Sequence, residues 1–146
     1  MKKIFNITIV FLLMLSTNAF AKSVVELYKS PTCGCCSQWA AIMKEKGYEV
    51  NIHLMNNRDS VKDPFDMPSQ LSSCHTAVID GYMVEGHVPE ADIARLLEER
   101  PSDISGIAVP GMPQYSPGMA SRDKNYQDFN VVAFNKEGQM SLYRKY

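Results

Sequence analysis

Residues 24–55, VVELYKSPTCGCCSQWAAIMKEKGYEVNIHLM, decide the fold. The stretch 24–28 combines β-branched and apolar residues and stops at a Ser-Pro pair, which predicts a short buried strand. Apolar residues then recur at helical spacing over 36–46, and a glycine ends the pattern. Residues 48–55 alternate as a second strand does. One helix between two strands is typical of a parallel β-α-β unit.

A hairpin, a helix and a second hairpin are predicted further along. Residues 76–88 flank Asp80-Gly81, a pair that suits a two-residue turn. The stretch 89–100 opens on a proline and carries apolar residues on one face, as a helix does. Residues 129–143 form a final hairpin, and the polar segment 56–73 is predicted to be mainly loop with one helical turn. The sequence therefore predicts an α/β fold with a central mixed sheet and flanking helices.

The first 21 residues have the pattern of an export signal. Two lysines precede an apolar run, and Ala19-Phe20-Ala21 supplies the small residues of a signal-peptidase site. The run is too short and too interrupted by polar residues for a membrane anchor of about 20 apolar residues. We therefore expect a signal peptide at 1–21, a single domain at 22–146, a location in the periplasm and no stable membrane insertion.

The charge of the chain bears on its partners, and its length on the number of domains. Without Lys2 and Lys3, 13 of the 15 basic side chains remain against 16 acidic ones, a formal charge of −3. No basic run stands out, so nucleic acid is not expected as a partner. The remaining length suits one domain with its own core. No helix pattern demands a partner chain, so a monomer is expected.

All four cysteines of the chain follow the expected signal: Cys33, Cys35, Cys36 and Cys74. Small exported domains often use an even number of cysteines as disulfides. Cys35 and Cys36 are adjacent and cannot bridge each other without severe strain, and a 33–35 bridge closes too tight a ring. Only a 33–36 bridge, or one from the cluster to Cys74, is easy.

The cysteine turn lies between the end of a predicted strand and the start of a predicted helix. Unpaired backbone N–H groups and the positive pole of the helix favour thiolate there. Thiolate both attacks disulfides and binds metals. The sequence Cys33-Gly34-Cys35-Cys36 contains the redox spacing Cys-x-x-Cys and the spacing Cys-x-Cys, which suits a soft metal. Both interpretations stand at this point.

Cys74 and His75 form a second group, in the loop before the predicted hairpin. That loop is expected to lie beside the cysteine turn. A disulfide oxidoreductase needs two thiols, whereas a soft-metal site gains from each further thiolate and accepts imidazole. Four cysteines with an adjacent histidine fit a metal site better. The alternative is a structural disulfide from Cys74 to Cys35 or Cys33.

The other candidate ligands rest on weaker patterns. A surface histidine that caps a turn is the simplest interpretation of His87, and His53 is expected on the solvent face of a strand. Met112 and Met119 fall in VPGMPQYSPGM, an irregular loop. Exposed thioether sulfur suits Cu(I), although methionines beneath such a loop also serve as core filler.

Three segments resemble one known family. The runs YKSPTCGCCSQWA, SCHTAVIDGYMVEGHVP and AVPGMPQYSPGM resemble the CopG proteins, small exported proteins of bacterial copper-resistance loci. The resemblance covers nearly the whole chain after the expected signal. It implies a thioredoxin-like fold, a periplasmic location and copper handling, with copper cycled between Cu(I) and Cu(II).

The resemblance also implies a ligand set. The metal ligands would be Cys33, Cys35, Cys36, Cys74 and His75, and, by a less direct transfer, His87, Met112 and Met119. Copper chaperones or efflux components would be the partners, and zinc a substitute ion.

Ordinary thioredoxins place a cis-proline before the strand that faces the redox cysteines, where this chain has Cys74-His75-Thr76. This departure argues against general disulfide exchange. A thiol-disulfide oxidoreductase with Cys33 and Cys36 as its catalytic pair remains the main alternative. A binding module whose disulfides only stabilise the fold is the third interpretation.

Overall fold

The structure, a computed structural model, describes residues 22–120 and 125–146. The signal peptide expected at 1–21 lies outside the described residues. Within them, the elements are β1 Val24–Lys29, α1 Gly34–Glu45, β2 Glu49–Leu54, α2 Asp59–Lys62, β3 His75–Ile79, β4 Tyr82–Glu85, α3 Glu90–Glu99, β5 Gly106–Ala108, β6 Asn130–Phe134 and β7 Met140–Lys145. Short 3₁₀ turns at Asp63–Phe65 and Ser69–Leu71 follow α2.

The seven strands form one mixed sheet in the order β2-β1-β3-β4-β5-β6-β7. β1 and β2 are parallel, as the predicted β-α-β unit requires, and β4 and β5 are the other parallel pair. The remaining neighbours are antiparallel. Asp80 and Gly81, which connect β3 to β4, both have positive φ angles, as a two-residue hairpin turn of type I′ requires. The predicted mixed α/β arrangement is confirmed.

Two parts of the chain differ from the sequence prediction. Segment 56–73, expected to be mainly loop with one helical turn, contains α2, which is one turn long, and in addition the two 3₁₀ turns. Strand β5 was not predicted, because its three residues are too few to show an alternating pattern. Through β5, the C-terminal hairpin joins the same sheet as the rest of the chain.

The sheet has a core on each face. On one face, buried side chains of α1 and α3, among them Trp39, Met43 and Ile93, belong to the same cluster as inward residues of β1, β3 and β4. On the other face, Leu71 packs with Met83 and neighbouring residues of β5 and β6. The long helices therefore cover one face, and segment 59–71 covers part of the other.

The topology places three chain segments at the same end of neighbouring strands. Lys29, the last residue of β1, pairs with His75, the first residue of β3. Thr76 of β3 pairs with Glu85, the last residue of β4. The cysteine turn that follows β1, the loop that precedes β3 and the segment that follows β4 therefore lie side by side.

Candidate metal centre

The cysteine turn forms the beginning of α1. Cys33 is the residue that caps the helix, and its sulfur accepts a hydrogen bond from the backbone N–H of Cys36 at 3.3 Å. A thiolate placed there faces the positive end of the helix, which favours its charged form. The local sequence thus creates a nucleophilic or metal-binding position at Cys33.

All four cysteines converge at this turn. Cys33 and Cys36 form a disulfide, while Cys35 and Cys74 are free. The sulfur of Cys35 lies 3.6 Å from that of Cys33, and the Cys36 sulfur lies 3.6 Å from the carbonyl oxygen of Cys74. Each sulfur lies within 4.8 Å of the other three. The structural disulfide considered for Cys74 is not formed.

Two histidines extend the cluster on the side of Cys74. Nε2 of His87 lies 2.9 Å from the Cys74 sulfur, and Nδ1 of His75 lies 3.4 Å from it. Both imidazole rings are fully buried, with their centroids 4.9 Å apart. Cys74, His75 and His87 thus form a group of three donors that shares one thiol with the four-cysteine cluster.

The loop before residue 120 fixes the orientation of His87. Nδ1 of His87 lies 2.7 Å from the carbonyl oxygen of Pro117, so this nitrogen carries the proton that it donates. Nε2, which faces Cys74, is then the nitrogen with a free lone pair. A carbonyl partner on the outer nitrogen is the usual arrangement for a metal-binding histidine.

Burial controls the ionisation of these groups. Burial, reinforced by the neighbouring Cys35, raises the pKa of the Cys74 thiol to about 12. Burial, and next the electrostatic effect of the adjacent His87 ring, holds the pKa of His75 well below its ordinary value of 6.5. Burial also lowers the pKa of His87, against the effect of its hydrogen bond to Pro117. Both imidazoles are therefore neutral at pH 7, the form that binds metals.

His75 has a further feature of a ligand. Its Nε2 atom is buried and has no hydrogen-bond partner in the described part of the chain. The ring packs against Trp39, with the centroids 4.7 Å apart, and the Trp39 indole donates to the carbonyl oxygen of Val88 at 2.9 Å. Trp39 therefore holds His75 in place from the core side.

The structure brings together the predicted ligands Cys33, Cys35, Cys36, Cys74 and His75. The interpretation of His87 as a surface turn cap is wrong. The side chain is fully buried because the loop around Pro117 covers it, which a local sequence pattern does not reveal.

The other candidate ligands lie at the protein surface or in the loop that contains Pro117. His53 is exposed as predicted, where it stacks on Tyr28 and pairs with Glu26. Met112 is 57% exposed. Met119 is half-buried and follows Gly118, which lies against the first turns of α1. Metal binding by these two methionines stays a prediction.

Sequence reasoning missed the groups that surround the ligands. Lys29 and Glu85 are buried, although both belong to residue types that are almost never buried without a partner. Glu85 stands out in the sequence as the single charge within YMVEGHV, a signal that could have drawn attention to it. The Pro117 carbonyl is a backbone group and leaves no such signal.

The fold and this cluster together define a class: a mixed α/β protein with a Cys/His group able to hold a soft metal ion. No helix in the described ranges has the length and apolarity needed to cross a membrane. Residues 71–119 match the family model DUF411, described as a protein of unknown function. The search of curated proteins gives no match.

Two solved structures are similar to the chain over most of its length. "Copper resistance protein copG- Form 2" has 40% sequence identity and a TM-score of 0.76, covering 86% of this chain and 98% of that one. "Copper resistance protein copG- Form 1" has 41% identity and the same TM-score, covering 84% and 96%. The chain belongs to the CopG family of copper resistance proteins.

Proposed function

We propose that this protein binds copper at the Cys/His cluster as part of copper resistance. The observation that carries the proposal is the convergence of four sulfurs, each within 4.8 Å of the others, with two buried imidazoles beside Cys74. Thiolate and imidazole are the donors that copper prefers in proteins. The two similar structures are of copper resistance proteins, which supports copper over other soft metals.

The donor set favours Cu(I). Soft thiolates match a soft ion, and crowded cysteines suit its low coordination number. Because four sulfurs occupy one small volume, bridging thiolates would share more than one copper ion. His75 and His87 add nitrogen donors, which also suit Cu(II), so the site would hold copper in either oxidation state, and its interconversion would use an external one-electron donor or acceptor. Met112 and Met119 are proposed as accessory thioether ligands, and zinc as a substitute ion.

The disulfide sets a condition for copper loading. Cys33 and Cys36 are bonded to each other, and a disulfide sulfur is not a thiolate ligand. Only the reduced protein therefore offers all four sulfurs, while the oxidised protein keeps Cys35, Cys74 and the two histidines. Copper capacity is expected to depend on the redox state of this pair.

The cellular setting completes the proposal. Residues 1–21 would direct export, and 22–146 would act in the periplasm as a monomer, a single domain of thioredoxin-like type. The order of β1, the cysteine turn and α1, with β3 beside β1, supports that assignment. Periplasmic copper chaperones or efflux components would exchange copper with the protein.

Copper counting tests the proposal. Reduced protein is titrated anaerobically with Cu(I) against a competing chromophoric chelator. Two or more tightly held copper ions per chain are expected, with losses on Cys→Ser changes at positions 33, 36 and 74. Copper stoichiometry that none of the three changes alters would refute the proposed site.

A second candidate function is thiol-disulfide exchange by Cys33 and Cys36. Their disulfide at the start of α1 favours it, because this position stabilises a leaving or attacking thiolate. One feature argues against it: Cys74 directly precedes β3, and His75 is the first residue of β3. Thioredoxins have at this position the proline that docks peptides. Reduction of insulin disulfides by the reduced protein, without copper, would favour this candidate.

A further inference from the structure

A buried carboxylate links the residues on either side of Cys74-His75. Glu85 is fully buried at the end of β4. One carboxylate oxygen accepts from the backbone N–H of Ser73 at 2.8 Å, and the other accepts from the hydroxyl of Thr76 at 2.6 Å. A single side chain thus holds the residue before Cys74 and the residue after His75.

Strand geometry explains how Glu85 reaches both residues without touching the ligands. Side chains alternate between the faces of a strand. Thr76 pairs with Glu85 on one face, while the His75 ring contacts Trp39 in the core of the opposite face. The carboxylate therefore holds β3 from the face opposite to the His75 ring. The Cys74 sulfur and the His75 nitrogens remain directed toward the cysteine turn.

The chain that leaves β4 connects Glu85 to His87 through Gly86. The N–H of Gly86 donates to the carbonyl oxygen of His75 at 2.9 Å. Gly86 also packs so closely that a Cβ atom there would lie 2.6 Å from the Cβ of Ser73. The positions of His75 and His87 are thereby coupled through two adjacent residues, Glu85 and Gly86.

Two cations from segment 58–62 complete the arrangement. The ammonium of Lys62 lies 3.1 Å from the Glu85 carboxylate and balances its buried charge. Nη2 of Arg58 donates to the carbonyl oxygen of Ser73 at 3.2 Å. Both backbone groups of Ser73 are therefore held by charged side chains, a stronger type of hydrogen bond than a neutral pair.

We propose that Glu85 is a positioning residue of the copper site, which holds Cys74, His75 and His87 in the arrangement that binds the metal. The inference rests on the proposed function, since it assigns to Glu85 a role in that same site. Loss of a residue that holds a metal ligand in place typically weakens metal binding by about 10- to 100-fold. A similar loss of Cu(I) affinity is expected here.

The test compares three variants with the wild-type protein. Glu85→Leu removes both hydrogen bonds, whereas Glu85→Gln keeps a side-chain oxygen for Ser73 and a polar group for Thr76. Asp92→Asn is the matched control, because Asp92 is also a fully buried carboxylate, but it lies on α3, where it contacts Tyr146 and Arg144. Cu(I) affinity is measured by chelator competition on reduced protein.

A second readout does not depend on copper. In metal-free reduced protein, the rate of Cys74 alkylation is followed by mass spectrometry of tryptic peptides, in which 63–95 carries Cys74 apart from the other cysteines. Glu85→Leu is expected to speed alkylation of Cys74, because the backbone around it is released. Asp92→Asn is expected to leave both the rate and the copper affinity close to wild type, and Glu85→Gln, which keeps hydrogen-bonding groups but loses the charge, is expected to fall between wild type and Glu85→Leu.

The outcomes separate this inference from the proposed function. Folded Glu85→Leu protein with wild-type affinity and alkylation rate would overturn the role of Glu85, as would an equal loss in Asp92→Asn. If Glu85→Leu does not fold, Thr76→Val is used in its place, because it removes one of the two hydrogen bonds to Glu85. Its Cu(I) affinity and Cys74 alkylation rate then decide the role of Glu85. Failure of the wild-type protein to bind copper would overturn the proposed function, and the alkylation rates would still decide the role of Glu85.

Discussion

Nε2 of His87 lies 2.9 Å from the sulfur of Cys74, although thirteen positions separate the two residues in the chain. The contact joins the segment after β4 to the residue before β3. It is the shortest described approach of a nitrogen donor to a sulfur of the cluster. We therefore regard this pair as the link between the thiolate and imidazole parts of the site.

Replacement of His87 tests that link. His87→Gln is expected to weaken Cu(I) binding by tenfold or more, since even the loss of a residue that only orients a ligand lowers metal affinity by about 10- to 100-fold. Chelator competition provides the measurement. His53→Gln is the control, because His53 is exposed and bound to Glu26. Equal affinities for the two variants would remove His87 from the site.

Gly118 is expected to be irreplaceable. Its φ is +85°, and a Cβ atom would lie 2.8 Å from the backbone nitrogen of Trp39 and 2.9 Å from the carbonyl oxygen of Cys35. Gly118→Ala should displace the loop and, with it, the Pro117 carbonyl that orients His87. Urea denaturation should show a loss of more than about 1 kcal/mol, the scale for alanine at an incompatible glycine position.

Gly138 supplies the comparison for that substitution. It also has a positive φ, +72°, but nothing lies within 4 Å of the added Cβ. Gly138→Ala should therefore cost only the backbone strain and leave copper binding intact. Equal losses of stability and of copper affinity in the two variants would show that close packing at Gly118 is not the cause of the Gly118→Ala effect.

The buried histidines predict a pH dependence of stability. The pKa of His75 is well below the unfolded value of about 6.5, mainly through burial, so the unfolded chain binds a proton that the folded chain does not. The free energy of unfolding of the metal-free protein should then fall as pH drops below 6.5. The slope approaches about 1.4 kcal/mol per pH unit for each such proton.

Denaturant melts between pH 7.5 and 5 measure this slope. His75→Phe should flatten it, because the variant has no imidazole to bind the proton at this position. The pKa of His87 is lowered in the same direction, so part of the slope should remain in His75→Phe. An unchanged slope in His75→Phe would contradict the assignment of a neutral, buried imidazole.

Tyr143 in β7 and Tyr146, which follows β7, are expected to respond in opposite ways when they are replaced by phenylalanine. The Tyr146 hydroxyl donates to buried Asp92 at 2.7 Å, so Tyr146→Phe leaves a carboxylate oxygen without that partner and should cost about 1–3 kcal/mol. The Tyr143 hydroxyl is buried and makes no hydrogen bond within the described residues, so Tyr143→Phe should be neutral or stabilising. Thermal melts distinguish the two, and the reverse order would refute the contacts.

The sequence predicted the elements that have a long, regular pattern. The β-branched and apolar residues of β1, the alternation in β2 and the helical spacing of α1 were sufficient to place the cysteine turn, and Asp80-Gly81 located the first hairpin. The proximity of Cys74 to the turn was also predictable, because a β-α-β unit followed by a hairpin brings the start of β3 beside the end of β1.

The missed features depend on contacts between distant parts of the chain. His87 is buried by Pro117, which is thirty positions away, and no local pattern in GHVP records that contact. Glu85 is neutralised by Lys62 and by groups of the loop before β3, so its burial follows from tertiary pairing. β5 has three residues, too few for any periodicity.

The central claim is that copper is held by sulfurs of both the cysteine turn and Cys74, together with the His87 imidazole. X-ray absorption at the copper K edge, on reduced and copper-loaded protein, tests it most directly. The account predicts a Cu(I) edge with mainly sulfur neighbours, a nitrogen contribution that His87→Gln removes, and fewer sulfur neighbours in Cys74→Ser. Copper surrounded only by nitrogen and oxygen, and unchanged in both variants, would contradict the account.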